Sequence, residues 1–369
     1  MSDLMEYKCL LCGGGLEFDT ATQKLKCPYC DSIFDMEEMK QRDASLDTDP
    51  VPAEGSFEGN WDVSGAGGEW SEGEAEGLTG YSCKSCGAEI VGDGNTAATS
   101  CPYCGNPIVM MDRLSGMKKP DFVVPFKYDK KAAKDALIKH YKNRKLLPKV
   151  FKDQNHIDEI KGIYVPFWLF HCDVDGNVVY HAENIRHWED SSYKYTEVSN
   201  YTAVREGSLH FDNIPMDGSE NMPDDLMESI EPFNWSEMTK FQTAYLAGFL
   251  ADKYDVEADA VLDRVSERVK KSTEDAFENT VTGYDSVSVL RSNVNMSESN
   301  VDYAMLPVWL LTTKWKDQNF LFAMNGQTGK FVGDLPVDKG LFWKWFALFG
   351  GGLSAVAFVI AWFVLGMVM

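Results

Sequence analysis

The sequence predicts an α+β protein in three parts: small metal-stabilised β ribbons near the N-terminus, an α+β body with antiparallel sheets, and one C-terminal transmembrane helix. Three observations predict this arrangement. The cysteines occur in repeated pairs, the central region has periodic apolar patterning, and the last 24 residues hold no charged side chain. Because no apolar signal segment follows Met1, ordinary secretion is not expected.

Eight of the nine cysteines form two copies of the pattern C-x2-C-x14-C-x2-C, offset by 74 residues. Two Cys-x-x-Cys turns present four thiolates to one ion, which completes a closed tetrahedral zinc site with no open position for a catalytic water. Each unit is too small for a self-sufficient apolar core, so metal binding would supply much of its folding free energy. The pattern predicts two structural Zn²⁺ sites, in zinc ribbon 1 (1–40) and zinc ribbon 2 (79–112), with the ligands Cys9, Cys12, Cys27, Cys30, Cys83, Cys86, Cys101 and Cys104.

Other interpretations of the cysteines are weaker. The sequence Cys-Pro-Tyr-Cys also resembles a glutaredoxin site, but that site requires a surrounding βαβ pattern, whereas each pair here follows another Cys-x-x-Cys. Disulfides are disfavoured in the reducing compartment expected for this end of the chain. Cys172 is left over in an apolar run and is expected to pack as a small hydrophobe. A third metal site with the nearby His171, His181 and His187 is the alternative, without support from spacing.

Residues 41–78 are predicted to form an acidic, glycine-rich, flexible linker. Ten acidic residues and one basic residue give this segment a charge of −9. Like charges repel, and few large apolar residues are present, so no packed core is expected. Trp61 and Trp70 are unusual in such a segment. They are either incidental aromatics in a disordered linker or a short motif that docks on a partner or on the protein's own body.

The sign of the charge reverses in residues 118–152, where twelve basic and three acidic residues give +9. A helix is predicted over 129–144, with Asp129 as its N-cap and Ala133, Leu137 and Tyr141 on one apolar face. We hypothesise that this basic block attracts the acidic linker. A solvated helix face and contact with acidic lipid headgroups or an acidic partner are the other interpretations, with nucleic acid the least favoured.

The body, residues 113–340, is predicted from its hydrophobic periodicity. A turn is expected at Asp175-Gly176, a dipeptide typical of β-hairpins. The segments 164–170 and 304–311 resemble each other, since each has a proline two positions before a tryptophan. This similarity predicts two related helix-plus-sheet halves. A helix is expected at 258–281, and strands at 162–170, 284–294, 303–315, 319–324 and 329–333.

Charge and motifs exclude several classes of function. The 35 basic and 57 acidic residues give a net charge of −22, which disfavours a nucleic-acid surface along the whole chain. The sequence contains no Gly-x-x-x-x-Gly-Lys, Gly-x-Ser-x-Gly or His-Glu-x-x-His motif. We therefore expect no enzymatic activity. An enzyme with an unrecognised site in the body, or a nucleic-acid-binding ribbon protein, is the alternative.

The C-terminal segment, residues 341–369, is predicted to be a membrane anchor. Its uncharged run over 346–369 is long enough to cross a hydrocarbon core of about 30 Å at about 1.5 Å per residue. Lys339 and Lys344 precede this run and nothing basic follows it, which predicts a single pass through the cell membrane with the N-terminal bulk in the cytoplasm. Gly350 and Ser354 give a small-xxx-small spacing, so helix pairing and a homo-oligomer are open.

Several of these residues together resemble a known family. Two ribbons of the form Cys-x-x-Cys-Gly…Cys-Pro-Tyr-Cys precede a lysine-rich helix and the runs LPKVF at 147–151 and IKGIYVPFW at 160–168. The chain is similar to bacterial membrane-anchored proteins with tandem transcription factor IIB-type zinc ribbons. Such proteins are often labelled primosomal or helicase-like, but this sequence has no nucleotide-binding loop.

The resemblance also implies a function. Some of these relatives resemble components of envelope-stress operons, in which a membrane zinc-ribbon protein helps to recruit a phage-shock-type or flotillin-like protein. The resemblance implies that this chain is a non-enzymatic, tail-anchored adaptor that binds proteins at the cytoplasmic membrane face.

Overall fold

The computed structural model describes residues 16–19, 24–29, 32–35, 55–93, 100–110, 117–142, 144–153, 157, 159–316 and 318–368. The strands are β1 (Glu17–Asp19), β2 (Lys24–Lys26), β3 (Ile33–Phe34), β4 (Phe57–Glu58), β5 (Leu78–Ser82), β6 (Glu89–Asp93), β7 (Val109–Met110), β8 (Phe122–Val123), β9 (Lys161–Glu189), β10 (Lys194–Asp217), β11 (Thr239–Lys240), β12 (Leu250–Asp252), β13 (Ser286–Trp315), β14 (Gln318–Asn325) and β15 (Phe331–Val332). The helices are α1 (Lys130–Tyr141), α2 (Asp224–Ser229), α3 (Leu262–Glu278) and α4 (Lys339–Val368), and the chain has an α+β fold.

Two sheets organise the described residues. The smaller one has the order β1-β2-β3, with antiparallel pairing throughout. The larger one contains twelve strands. Its path is β11-β8-β13-β9-β12-β6-β5-β7, with β10 beside β9, both β4 and β14 beside β13, and β15 beside β14. The segment predicted as zinc ribbon 2 contributes β5, β6 and β7, so it is part of the larger sheet.

The sequence predicts antiparallel sheets, and the larger sheet is mixed: most of its pairs are antiparallel and two are parallel. β12 pairs with β9 in parallel, through Leu250 and Ile163, and β8 pairs with β13 in parallel, through Phe122 and Ala304. β8 and β12 are only two and three residues long. Strands this short carry no period of their own, so the sequence gives no signal for their direction.

The long strands β9 and β13 form the centre of the body. Each contains a continuous buried run, over 163–170 and 303–311. In β13 the side chains alternate between two cores: Ala304, Leu306, Val308 and Leu310 lie in one apolar cluster, and Trp309 and Leu311 lie in another. Since successive side chains of a strand point to opposite faces, the sheet is covered by apolar packing on both faces.

The prediction of a hairpin turn at Asp175-Gly176 is wrong. β9 continues through both residues, and the chain reverses at Asp190–Tyr193 instead, where Asp190 N–H donates to the Tyr193 carbonyl over 2.9 Å. Gly176 instead allows α3 to pack closely against β9. A Cβ at Gly176 would lie 2.8 Å from Thr273 Cγ2 and 2.9 Å from Phe277 Cε2, so only glycine lets α3 approach this strand so closely.

The two segments that resemble each other make matching contacts. The Pro166 carbonyl accepts from Gly218 N–H over 2.9 Å, and the Pro307 carbonyl accepts from Gly326 N–H over 2.8 Å. The indole Nε1 of each following tryptophan donates over 2.9 Å to a backbone carbonyl that lies shortly before a helix. Those pairs are Trp168 with Val256 and Trp309 with Tyr128.

Residues 55–78 differ from the flexible linker that the sequence predicts for 41–78; residues 41–54 lie outside the described residues. Trp61 Nε1 donates to Ser266 Oγ over 2.9 Å, and its ring makes an edge contact with Phe170. Trp70 Nε1 donates to the Met117 carbonyl over 2.9 Å. The two indoles supply the apolar area that lets an acidic segment pack on the body.

The chain divides into two compact units. The first comprises Met1–Ser56, Gly176–Gly207 and Thr273–Val294; the second comprises Phe57–Asp175, Ser208–Ser272 and Asn295–Met369. In the first unit, the Tyr180 hydroxyl donates to the Glu274 carbonyl over 2.6 Å, and Arg205 Nε donates to Thr280 Oγ1 over 2.7 Å. These bonds hold the last turns of α3 against the β9–β10 hairpin.

Candidate metal centre

The second cysteine quartet is held by two tight backbone turns. Gly87 N–H donates to the Cys83 carbonyl over 2.9 Å, and Gly105 N–H donates to the Cys101 carbonyl over 3.0 Å. Both glycines have positive φ, 83° and 74°, a conformation that favours glycine. Each Cys-x-x-Cys-Gly segment therefore closes on itself and directs both of its sulfurs to the same side.

The four sulfurs of this quartet converge. The Sγ atoms of Cys83, Cys86, Cys101 and Cys104 all lie within 4.8 Å of one another. The closest pairs are Cys83–Cys104 at 3.5 Å and Cys86–Cys101 at 3.6 Å, well beyond a disulfide bond of about 2.05 Å. Four thiols at these separations can hold one metal ion with tetrahedral geometry.

Backbone hydrogen bonds and burial shift the pKa values of the quartet in opposite directions. Burial opposes ionisation of Cys83, but hydrogen bonds from the backbone N–H groups of Cys86 and Ser85 lower its pKa to about 7. Burial raises the pKa of Cys86 to about 11 and raises the pKa of Cys101 further. One thiolate therefore forms readily, whereas the others need a positive ion to offset burial and mutual repulsion.

Contacts from the body support the second turn of the quartet. Thr312 Oγ1 donates to the carbonyl of Pro102 or Tyr103, both 2.8 Å away, and Lys161 Nζ donates to the Ser100 carbonyl over 2.6 Å. Asn106 Nδ2 lies 3.4 Å from Cys104 Sγ and donates to it. The site is thus held by side chains of β9 and β13 as well as by its own loops.

The first quartet lies largely outside the described residues, which include Cys27 but not Cys9, Cys12 or Cys30. The described part repeats one feature of the second quartet. Cys27 N–H donates to the Ser32 carbonyl over 2.9 Å, as Cys101 N–H donates to the Asn106 carbonyl over 2.7 Å. Both cysteines are buried. A metal site at this first quartet stays a prediction.

The remaining cysteine and its neighbouring histidines are separated. Cys172 is buried, and burial raises its pKa to about 12. His181 Nε2 pairs with Glu183 Oε1 at 2.8 Å, and His187 Nδ1 lies 2.9 Å from Thr196 Oγ1. Among the described residues, the second cysteine quartet alone brings three or more potential ligands together, so this structure offers no third metal site there.

Sequence reasoning missed a histidine held between two carboxylates. His171 Nδ1 pairs with Asp212 Oδ1, and His171 Nε2 lies 3.2 Å from Asp302 Oδ2. Burial opposes a charge on the ring, but hydrogen bonds with Asp302 and Asp212 outweigh it and raise the pKa of His171. The three residues lie on β9, β10 and β13, far apart in sequence, so no local motif marks them.

A buried carboxyl group in β12 was also missed. Asp252 is fully buried, and Ser219 Oγ donates to its Oδ2 over 2.5 Å. Burial raises the pKa of Asp252 to about 7, although hydrogen bonds oppose the shift. The neighbouring Tyr103 lies between Cys101 and Cys104 of the second quartet, and burial raises its pKa well above the usual value. The sequence signal for this buried carboxyl group is that Asp252 directly follows the apolar residues Leu250 and Ala251.

At the C-terminal end, one helix in the part of the chain that the structure describes is long and apolar enough to cross a membrane, over Lys339–Phe358. Asp338 caps this helix: its Oδ1 accepts from Gly340 N–H over 2.8 Å and from Leu341 N–H over 3.3 Å. Large apolar side chains on this helix are exposed, among them Phe346, Leu348 and Leu353. An exposed helix of this composition is stable in a hydrocarbon environment.

The chain is an α+β protein. It has four converging cysteines that could hold a metal ion, and one helix that is long and apolar enough to cross a membrane. The sequence is similar to "Uncharacterized protein YdjG" of Bacillus subtilis (strain 168), with 33% identity over 321 residues, 74% of this chain and 94% of the relative. The chain belongs to the family of that protein. No family model and no solved structure matches the chain.

Proposed function

We propose that this chain is a non-enzymatic adaptor, anchored in the cell membrane by α4, that binds a protein partner with the exposed end of the β9–β10 hairpin. The observation that supports this proposal is a group of large apolar side chains that are exposed on that hairpin. We name it the hairpin surface; it consists of Ile185, Trp188, Tyr193, Tyr195, Val198, Tyr201 and Val204, which are 38–68% exposed.

The hairpin surface has the composition of a protein-binding site. Trp188 and Tyr195 stack with ring centroids 5.4 Å apart, and Arg186 lies over the Trp188 ring at 5.6 Å. Trp, Tyr and Arg are the residues that most often dominate binding energy at protein interfaces. A partner that covers these side chains removes apolar area from water, so their concentration on one hairpin favours an interface.

The hairpin surface is also preorganised. Asp190 Oδ1 accepts from Ser192 N–H and Tyr193 N–H, each over 2.8 Å, and Asp190 Oδ2 accepts from the Tyr195 hydroxyl over 2.8 Å. These bonds hold the turn that carries the aromatics. A partner therefore meets an ordered surface and loses little conformational entropy on binding.

The proposed metal is Zn²⁺ in both ribbons, with Cys83, Cys86, Cys101 and Cys104 at one site and Cys9, Cys12, Cys27 and Cys30 at the other. A closed set of four thiolates suits zinc in a structural role. The repeated backbone bond at Cys27 and Cys101 supports a common architecture for the two ribbons. The matching contacts around Trp168 and Trp309 likewise support two related halves in the body.

The proposed orientation places the N-terminal bulk in the cytoplasm. Lys339 and Lys344 precede the apolar part of α4. Positive charge is retained on the cytoplasmic side. The proposed setting, recruitment of a phage-shock-type or flotillin-like protein during envelope stress, rests on the resemblance of the sequence.

Site-specific photo-crosslinking in bacterial cells tests the adaptor function. A photoreactive phenylalanine analogue at Tyr193, which is 68% exposed, should give one discrete heteromeric adduct. The same analogue at the exposed Lys240, outside the hairpin surface, is the control and should not give that adduct. Trp188→Ala with Tyr195→Ala should weaken the adduct, whereas Lys194→Ala in the same hairpin should preserve it. Equal adducts at both positions, or none at Tyr193, would refute the proposal.

A further inference from the structure

Part of the basic block lies directly beside the start of the membrane helix. Asp338 N–H donates to the Leu146 carbonyl over 2.9 Å, which ties the loop after α1 to the segment that enters α4. Lys145 Nζ lies over the Trp345 ring, 5.3 Å from its centroid. Two independent contacts therefore fix the position of Lys145 relative to the first turns of α4.

A cleft opens between this loop and the segment before α4. Its volume is about 350 Å³. Two of the lining residues are cations and the others are apolar. This combination suits a lipid, in which a charged headgroup is joined to a glycerol ester. The lining residues are Arg144, Lys145, Leu146, Leu147, Leu335, Pro336 and Val337.

Further basic residues lie close in sequence to those that line the cleft. Lys142, Lys149, Lys339 and Lys344 are exposed. Lys152 Nζ donates to the Arg144 carbonyl over 2.9 Å, which helps to fix the loop. The nearby Asp338 uses its carboxylate to cap α4, while Asp153 and Asp334 are exposed acidic residues of the same region. The local excess is positive, although the whole chain carries −22.

The aromatic residues of α4 indicate the depth of this surface. Trp343 is 63% exposed and Trp345 contacts Lys145, both within the first two turns of α4. Tryptophan side chains concentrate at the boundary between hydrocarbon and headgroups. A cation held against Trp345 therefore lies at headgroup level when α4 crosses the bilayer.

We propose that Arg144 and Lys145 bind the phosphate of an anionic phospholipid in the leaflet that surrounds the start of α4. This inference rests on the proposed membrane-spanning role of α4. The cations attract the headgroup, and the apolar wall formed by Leu335, Pro336 and Val337 contacts the upper part of the lipid. The acidic remainder of the chain is repelled by the same anionic leaflet, so this surface also orients the body.

The test uses the full chain, purified in a neutral detergent and titrated with phosphatidylglycerol or phosphatidylcholine under native mass spectrometry. Phosphatidylglycerol should bind preferentially. Each Lys or Arg near an anionic surface contributes about fivefold to binding, so Arg144→Gln with Lys145→Gln should reduce phosphatidylglycerol occupancy at least fivefold. Lys130→Gln with Lys131→Gln removes the same charge from exposed positions at the other end of α1 and should leave occupancy unchanged.

Equal occupancy by the two lipids, or an equal loss in both double variants, would overturn the proposal. Binding of inorganic phosphate that displaces the lipid at equal concentration would overturn it as well, because the apolar wall would then contribute nothing. Alkaline extraction of membranes separates this inference from the function it rests on. A chain that resists extraction but shows no lipid preference refutes the lipid site alone, whereas a chain that is extracted refutes the membrane span.

Discussion

One tyrosine of the repeated Cys-Pro-Tyr-Cys motif shows how far a motif determines the environment of its residues. Tyr29 of ribbon 1 is 79% exposed, whereas Tyr103, at the same motif position in ribbon 2, is 7% exposed and belongs to an apolar core of the body. In the second quartet the motif forms the tight backbone turn between Cys101 and Gly105. The burial of its third residue depends on what packs against the turn, which the repeat does not encode.

At the residue scale, the cysteine ligands lead to a prediction about metal content. The full chain should contain about two zinc ions, and Cys101→Ser should reduce the content to about one, because three thiolates bind zinc much more weakly than four. Elemental analysis of freshly purified, reduced protein gives the measurement. Cys172→Ala is the matched control, since Cys172 is also buried but lies outside both quartets. Loss of zinc in the control, or full content in Cys101→Ser, would contradict the assignment.

The histidine between two carboxylates predicts a pH dependence of stability. The pKa of His171 is raised in the folded protein, above the unfolded value of about 6.5. Its ion pairs therefore stabilise the fold fully below about pH 6.5, and this contribution is lost as the pH rises through the folded-state pKa.

Urea unfolding of the full chain in detergent between pH 5.5 and 9 measures this contribution. His171→Gln should lower the free energy of unfolding by about 1–2 kcal/mol at the acidic end and by less at the alkaline end. His210→Gln is the control, because the side chain of His210 is 64% exposed and its pair with Asp173 is screened by solvent. A loss that grows with rising pH would show the opposite sign and refute the pairing.

At the scale of elements, the strand β9 illustrates the limit of turn signals. Asp-Gly is typical of hairpin turns, yet 29 residues form one strand through that dipeptide. The turn signal competes with the packing of α3, which leaves no room for a side chain at position 176. Tertiary contact decides between the two, and it is not visible in a local window.

The close approach at Gly176 leads to a prediction about stability. Gly176→Ala should lower the free energy of unfolding by about 1–3 kcal/mol, because the new Cβ overlaps Thr273 and Phe277. Gly207→Ala provides a matched control on the neighbouring strand, where a Cβ would lie 3.7 Å from Phe277, an ordinary contact. Chemical denaturation compares the two variants, and a larger loss at Gly207 would contradict the packing described for Gly176.

Elements with a strong period were predicted well. α1 begins after Asp129, whose Oδ1 accepts from Ala132 N–H over 2.7 Å, and its buried residues are Ala133, Leu137 and Tyr141, as the sequence predicts. The expected gap between strands 284–294 and 303–315 is absent, because β13 runs without interruption over Ser286–Trp315. Its middle part carries polar residues, including Glu298 and Asn300, which do not break a strand that is exposed there.

At the scale of the whole molecule, the sequence identifies the parts better than their connections. The cysteine spacing, the acidic segment and the apolar C-terminal run are all local features. The sequence does not indicate that Leu250 of β12 joins ribbon 2 to β9, nor that Trp61 holds residues of the acidic segment on the body. These contacts join residues between 87 and 205 positions apart, so they depend on the complete fold.

The proposed membrane span of α4 leads to a prediction about the whole chain. Deletion of residues 346–369 should release the protein into the soluble fraction after cell fractionation, since this run supplies nearly all of the apolar length of α4. Fusion of an unrelated single-pass helix to the truncated chain should restore sedimentation with membranes. Continued sedimentation of the truncated protein would indicate a separate anchor, such as a bound membrane partner.

The pairing of β6 with β12 makes ribbon 2 a structural edge of the body. An independent zinc module can unfold alone when it loses its ion. Here the turn at Cys101 also provides the acceptors for Thr312 and carries Tyr103 into the core. If the quartet holds a metal ion as proposed, removal of that ion or oxidation of these thiols would therefore destabilise the apolar core that contains Tyr103.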